Sequence, residues 1–136
     1  MPEPGAEPSI EGVRILVVDD NADALEMLEL SLGISGARVK AVTSVDDAVQ
    51  ADPAAFDVVI TDLSMPGRSG FELLRAFRER APAVPVIAVT GHSLLAEQER
   101  DRSGGFSMYL IKPVEHPRLV RAIHDVVTGP RRGEAT

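Results

Sequence analysis

The sequence predicts an α/β domain in which a parallel sheet is covered on both faces by helices. Three observations carry this expectation. Apolar runs of strand length alternate five times with segments of helical periodicity. The links between them are short, as parallel strands joined by helical crossovers require. The first run is apolar almost without interruption, as a strand buried on both faces must be. With 136 residues, 44% of them apolar, the chain suits one domain and leaves no room for a second.

Residues 13–18 (VRILVV) form the first strand candidate, and Leu25, Leu28 and Leu32 then recur at helical spacing. Gly33 and Gly36 are alternative stops for that helix. Residues 37–43 (ARVKAVT) alternate Val39 and Val42 with polar residues, a second strand. Ser44 and Asp47 resemble a capping box that opens a short helix holding Val45, Ala48 and Val49. Residues 57–60 (DVVI) are the third strand, followed by a helix with Phe71, Leu74 and Phe77. Residues 84–89 (VPVIAV) are the fourth strand and 107–111 (SMYLI) the fifth. A last helix carries Leu119, Ala122, Ile123, Val126 and Val127 on one face. The fourth helix fits least well: in residues 93–105 the apolar positions stop at Leu94, Leu95 and Ala96. A helix that buries so little is expected to be short or mobile.

The ends and the composition exclude several functions. The opening "MPEPGAEPSIEG" is acidic and rich in Pro and Gly, without the basic start and apolar stretch of a signal peptide. No apolar run approaches the ~18 residues of a membrane span, so a soluble, cytoplasmic protein without membrane contact is expected. Residues 1–11 and 129–136 are expected to be disordered tails around a folded domain at 12–128. The absence of cysteine rules out disulfides, thiolate catalysis and Cys-ligated zinc. A formal net charge of -7 argues against direct DNA binding, which needs clustered Lys and Arg; the pair Arg131-Arg132 is too short a cluster.

All strands of a parallel sheet point the same way, so the residues at their C-terminal ends meet along one edge, where ligands bind. Asp19 and Asp20 follow the first strand, Asp62 ends the third, Thr90 ends the fourth and Lys112 follows the fifth. Three carboxylates drawn together repel one another unless a cation sits among them. All-oxygen ligation without His or Cys suits a hard cation, Mg²⁺ first. Two acids for Mg²⁺, a third free to attack in line and one ammonium make a set equipped for phosphoryl transfer. Taken singly these residues have plainer roles. Asp-Asp-Asn before a helix is commonly an N-cap, Asp62 opens a turn-rich stretch (DLSMPGRSG), and Thr90 and Lys112 could be a strand-end hydroxyl and a solvated charge. Their joint placement at successive strand ends favours the site.

With these residues in place, the chain resembles a response-regulator receiver domain, the phosphoacceptor module of two-component signalling. The resemblance spans residues 12–128 and rests on "VVDDN", "ITDLSMPGRSG", "VTGHS" and "YLIKPV". It implies a flavodoxin-like, doubly wound (βα)5 sandwich with a five-stranded parallel sheet in the order 2-1-3-4-5. It implies that Asp62 accepts a phosphoryl group from a phosphohistidine on a histidine kinase or phosphotransfer protein. Asp20 would then ligate Mg²⁺ directly and Asp19 through water, with Asp62 and the Ser64 backbone carbonyl completing the shell. Lys112 would pair with the phosphoryl group, Thr90 would donate its hydroxyl to it, and Tyr109 would be the switch aromatic. Ser64 and His92 occupy positions that tune dephosphorylation, Met65-Pro66 and Gly70 shape the turn after the acceptor, and Pro113 implies a cis Lys112–Pro113 bond. The surface switched for an unknown downstream protein would be the fourth strand and helix with the fifth strand and helix. His116 and His124, eight residues apart, lack metal-ligand spacing and are expected at the surface.

The leading expectation is a stand-alone receiver, not an enzyme, acting through protein contacts. The receiver portion of a hybrid kinase is the near alternative. A Mg²⁺-dependent phosphohydrolase with an aspartyl-phosphate intermediate would use the same acids. It would need a second acid two residues after Asp62, where Ser64 stands, and a capping insertion. A scaffold-only pseudo-receiver is disfavoured because the main site residues are all present.

Overall fold

The computed structural model describes residues 8–63, 65, 69–91 and 105–129. Five parallel strands, β1 (Arg14–Val18), β2 (Arg38–Val42), β3 (Val58–Asp62), β4 (Val86–Thr90) and β5 (Met108–Ile111), form one sheet in the order β2-β1-β3-β4-β5. The helices are α1 (Ala22–Ile34), α2 (Val45–Gln50), α3 (Gly70–Arg80) and α4 (His116–Thr128), with a 3₁₀ turn at Pro53–Ala55. The strand order is the expected one. The helix expected in residues 93–105 falls almost wholly outside the described residues.

The strands are apolar throughout because both faces are covered. In β1, Ile15 and Val17 pack with Leu25 and Leu32 of α1 and Leu119 and Ile123 of α4. Leu16 and Val18, pointing the other way, join Val45 and Ala48 of α2 and Leu73, Leu74 and Phe77 of α3. Each of these Ile, Val, Leu and Phe side chains contributes about 1.5–3 kcal/mol when buried from water. Among the described residues no helix is long and apolar enough to cross a membrane.

Local chemistry sets the helix ends. Asn21 Oδ1 accepts from Ala24 N at 3.0 Å, and Ser44 Oγ accepts from Asp47 N at 3.1 Å, satisfying amide donors that a first turn leaves without partners. Of the two glycines that could stop α1, Gly36 does so. It takes φ +94° and its N–H donates to Gly33 O, while Ala37 N–H donates to Leu32 O. Gly33 lies within the helix.

Within the stretch expected to be a tail, Ile10 is only 1% exposed and belongs to the core shared by α1 and α4. Gly12 N–H donates to Gly36 O at 2.8 Å and Val13 N–H to Ile10 O at 3.0 Å. A single isoleucine in an acidic, Pro/Gly-rich stretch has no periodicity to reveal it, but burying it covers the foot of the sheet. The bidentate Arg14–Asp57 pair, at 2.9 and 3.2 Å, ties the entries of β1 and β3 at that same end.

Candidate functional site

The strand order reverses between β1 and β3, and the site lies at their C-terminal ends. Asp19, one residue past β1, is 3% exposed, and its N–H donates to Val42 O at 3.2 Å. Its Oδ1 accepts from Asn21 N at 2.9 Å. Asn21 thus caps α1, which leaves Asp19 Oδ2 and the exposed Asp20 for other work. Asp62 ends β3 in register with Val89 of β4, and its side chain is 11% exposed.

Burying two carboxylates requires a cation, and Lys112 supplies one. Its Nζ donates to Asp62 Oδ2 at 2.8 Å and to Asp19 Oδ2 at 3.3 Å. Burial pulls the Lys112 pKa down, but the hydrogen bond to Asp62 and the charges of Asp62 and Asp19 outweigh it, and the group sits above its ordinary 10.5. The ammonium therefore stays charged throughout the neutral range. Beneath the three groups lies an apolar floor that includes Val17, Leu28, Ile60, Val114 and Leu119, where charges interact more strongly than in water.

One oxygen each from Asp19, Asp20 and Asp62 lie within 4.8 Å of one another. The donor set is the hard, all-oxygen kind that Mg²⁺ takes. The residues present fit the metal.

The other sequence-predicted residues distribute as follows. Thr90 is fully buried at the end of β4, one residue past the partner of Asp62, and its carbonyl accepts from Lys112 N at 2.8 Å. Tyr109, half-buried, faces Ala88 in the β4–β5 register. The Lys112–Pro113 bond is cis. Gly70 opens α3, and its N–H donates to Leu63 O at 3.3 Å. Ser64, Pro66 and His92 lie outside the described residues. His116 and His124 are on α4, away from the acids. His116 is exposed, with Nε2 3.0 Å from Ser35 Oγ, and His124 Nδ1 lies 3.1 Å from Ser9 O.

Sequence reasoning overlooked Phe106. This ring is 6% exposed and makes edge-to-face contacts with both Phe71 and Tyr109. It stands between the fourth helix expected from the sequence and the fifth strand, where no periodicity singles it out.

The profile of a family described as "Response regulator receiver domain" matches residues 15–124. The sensor histidine kinase GacS of Pseudomonas protegens is 31% identical over 129 residues, covering 89% of this chain and 14% of that protein. The virulence sensor protein BvgS of Bordetella pertussis is 37% identical over 123 residues, covering 85% and 10%. This chain therefore spans only a small part, 10–14%, of those sensor proteins. Among solved structures, a response regulator receiver domain protein from Clostridium thermocellum superimposes with a TM-score of 0.79 at 33% identity, covering 85% of this chain and 94% of that one.

Proposed function

Because this chain belongs to the response regulator receiver domain family, we propose that it is a phosphoacceptor of a two-component or phosphorelay system, with Asp62 as the acceptor. The donor is a phosphohistidine on a histidine kinase or phosphotransfer protein. A carboxylate oxygen of Asp62 attacks phosphorus, the P–O bond forms, the P–N bond breaks, and the imidazole leaves. The observation that carries this reading is the position of Asp62 at the end of a central strand, 2.8 Å from the Lys112 ammonium and beside Asp19 and Asp20.

When bound by Asp19, Asp20, Asp62 and the Ser64 carbonyl, Mg²⁺ would offset charge on the transferring oxygens. Lys112 would exchange its contacts with Asp19 and Asp62 for a phosphoryl oxygen, a charge-assisted hydrogen bond of the stronger kind. Thr90, on the adjacent strand, would donate its hydroxyl to the same group. Its inward movement would open space that the Tyr109 ring can take up, biasing two pre-existing arrangements of the β4–β5 side. Ser64 and His92 would tune how long the phosphoryl group lasts. The chain then acts on its own carboxylate and signals through protein contact, with no turnover of small phosphate esters.

A second reading of its setting, the receiver portion of a larger sensor kinase, is favoured by relatives named as a sensor histidine kinase and a virulence sensor protein; the surrounding reading frame separates the two. The chemistry is tested by a transfer profile. Candidate histidine kinases, labelled on histidine, are mixed with this protein and Mg²⁺. Rapid label transfer from a small subset, absent with Asp62→Asn, is expected; no transfer from any kinase of the same genome would count against the reading.

A further inference from the structure

The first turn of α3 and the start of β5 meet through three aromatic rings. Phe71 and Phe106 have centroids 5.5 Å apart at an interplanar angle of 74°, and Phe106 and Tyr109 are 5.4 Å apart at 69°. Both are edge-to-face, the arrangement that ring quadrupoles favour. Phe106 is the buried middle member, while Phe71 and Tyr109 are half-buried on the same core.

Two members of this row are anchored through the glycines beside them. Next to Phe106, Arg78 Nη2 donates to Gly105 O at 2.7 Å, and a Cβ added at Gly105 would lie 2.6 Å from Leu74 Cδ2. Backbone and α3 are therefore in direct contact. Next to Phe71, a Cβ at Gly70 would lie 2.7 Å from the carbonyl oxygen of Asp62. A continuous path runs from the Asp62 backbone through Gly70, Phe71 and Phe106 to Tyr109, without passing through Thr90. The Tyr109 ring has the buried Phe106 ring as its edge-to-face neighbour.

We infer that Phe106 is a positioning residue: it fixes the Tyr109 ring and ties it to the first turn of α3. This placement goes beyond the acceptor reading. Only its consequence rests on that reading: a shift of the Asp62 strand end reaches Tyr109 through the rings as well as through Thr90.

The protein carries its own probe, since it has one tyrosine and no tryptophan and its intrinsic emission reports Tyr109 alone. Acrylamide quenching is measured on the full chain, wild type and Phe106→Leu, with Phe71→Leu as the second variant. Leucine preserves an apolar filling and removes the ring edge. Phe106→Leu should raise the quenching constant about two-fold and Phe71→Leu by less, because loss of a packed neighbour lets the ring move. Phe56→Leu, in the same core but outside the row of rings, should leave it unchanged and so controls for general loosening. Unchanged quenching in both Phe106→Leu and Phe71→Leu, or an equal rise in Phe56→Leu, would overturn the inference. Adding Mg²⁺ with beryllofluoride, a phosphoryl mimic, separates the two readings. Raised resting quenching together with a wild type that ignores beryllofluoride would uphold the positioning role and count against Asp62 as acceptor.

Discussion

The two sides of the sheet are held by different forces. On the β1–β3 side, Asp19, Asp62 and Lys112 are joined by charge-assisted hydrogen bonds of 2.8 and 3.3 Å. On the β4–β5 side, Tyr109 is placed by ring edges and by the packing of Gly105 against Leu74. Charge acts over distance and responds when another ion arrives, whereas packing is short-ranged and bistable. The proposed acceptor, which would both receive a phosphoryl group and change shape, would use one of each. The first half would supply chemistry in place before the signal arrives, and the second a ring that shifts.

The largest expected effect is at Lys112. Lys112→Met removes the cation that the two nearly buried carboxylates share. Phosphoryl uptake from acetyl phosphate should fall by about 10²–10³-fold, the usual cost of losing one donor to a transition-state oxygen. Mg²⁺ affinity should rise in the same variant, because the metal no longer competes with the ammonium for Asp19 and Asp62. Isothermal titration showing weaker Mg²⁺ binding would mean that Lys112 does not oppose the metal.

Two glycines probe the packing on either side. An added methyl at Gly70 meets the backbone oxygen of Asp62 at 2.7 Å, which cannot step aside; at Gly105 it meets the tips of Leu74 and Arg78, which can rotate. Gly70→Ala should therefore fall at the upper end of the ~1–3 kcal/mol cost of overpacking and Gly105→Ala at the lower end. Urea denaturation gives the order. Gly70→Ala should also slow phosphoryl uptake, whereas Gly105→Ala should spare it and alter Tyr109 emission.

Thr90 joins the halves. Thr90→Ala should still take up phosphate at Asp62 within a few-fold of wild type, while the Tyr109 response to beryllofluoride falls to the remainder carried through Phe106. A full response in Thr90→Ala would remove the hydroxyl from the switch.

The smallest effect is on stability at high pH. The Lys112 pKa is raised above 10.5 in the folded protein, so folding favours its charged form. That contribution is complete below pH 10.5 and is lost as pH climbs through the folded value. Wild type should lose urea resistance relative to Lys112→Met only above about pH 10.5, and the gap should narrow in high salt because the ammonium is partly exposed.

The ionic half was legible in the sequence and the aromatic half was not. Asp19, Asp62, Thr90 and Lys112 each stand at or just past the end of an apolar run, and parallel strands bring all such ends to one edge. Chain order alone therefore assembled them. The sequence also suggested a cation among the acids; the structure adds that Lys112 already bridges two of them. Phe71 and Phe106 are 35 positions apart in the chain, and their contact depends on how α3 lies against β5, which no local pattern encodes. Ile10 was missed because an isolated apolar residue has no period, and the choice of Gly36 over Gly33 became visible only in its positive φ.

Asp62, the carboxylate ending β3, is the residue proposed to carry the signal. The direct measurement is peptide mass spectrometry after treatment with acetyl phosphate and Mg²⁺. The account predicts one phosphoryl adduct, acid-stable and base-labile, located on Asp62 and absent from Asp62→Asn. An adduct on Asp19 or Asp20 in the wild type, or undiminished labelling of Asp62→Asn, would contradict it.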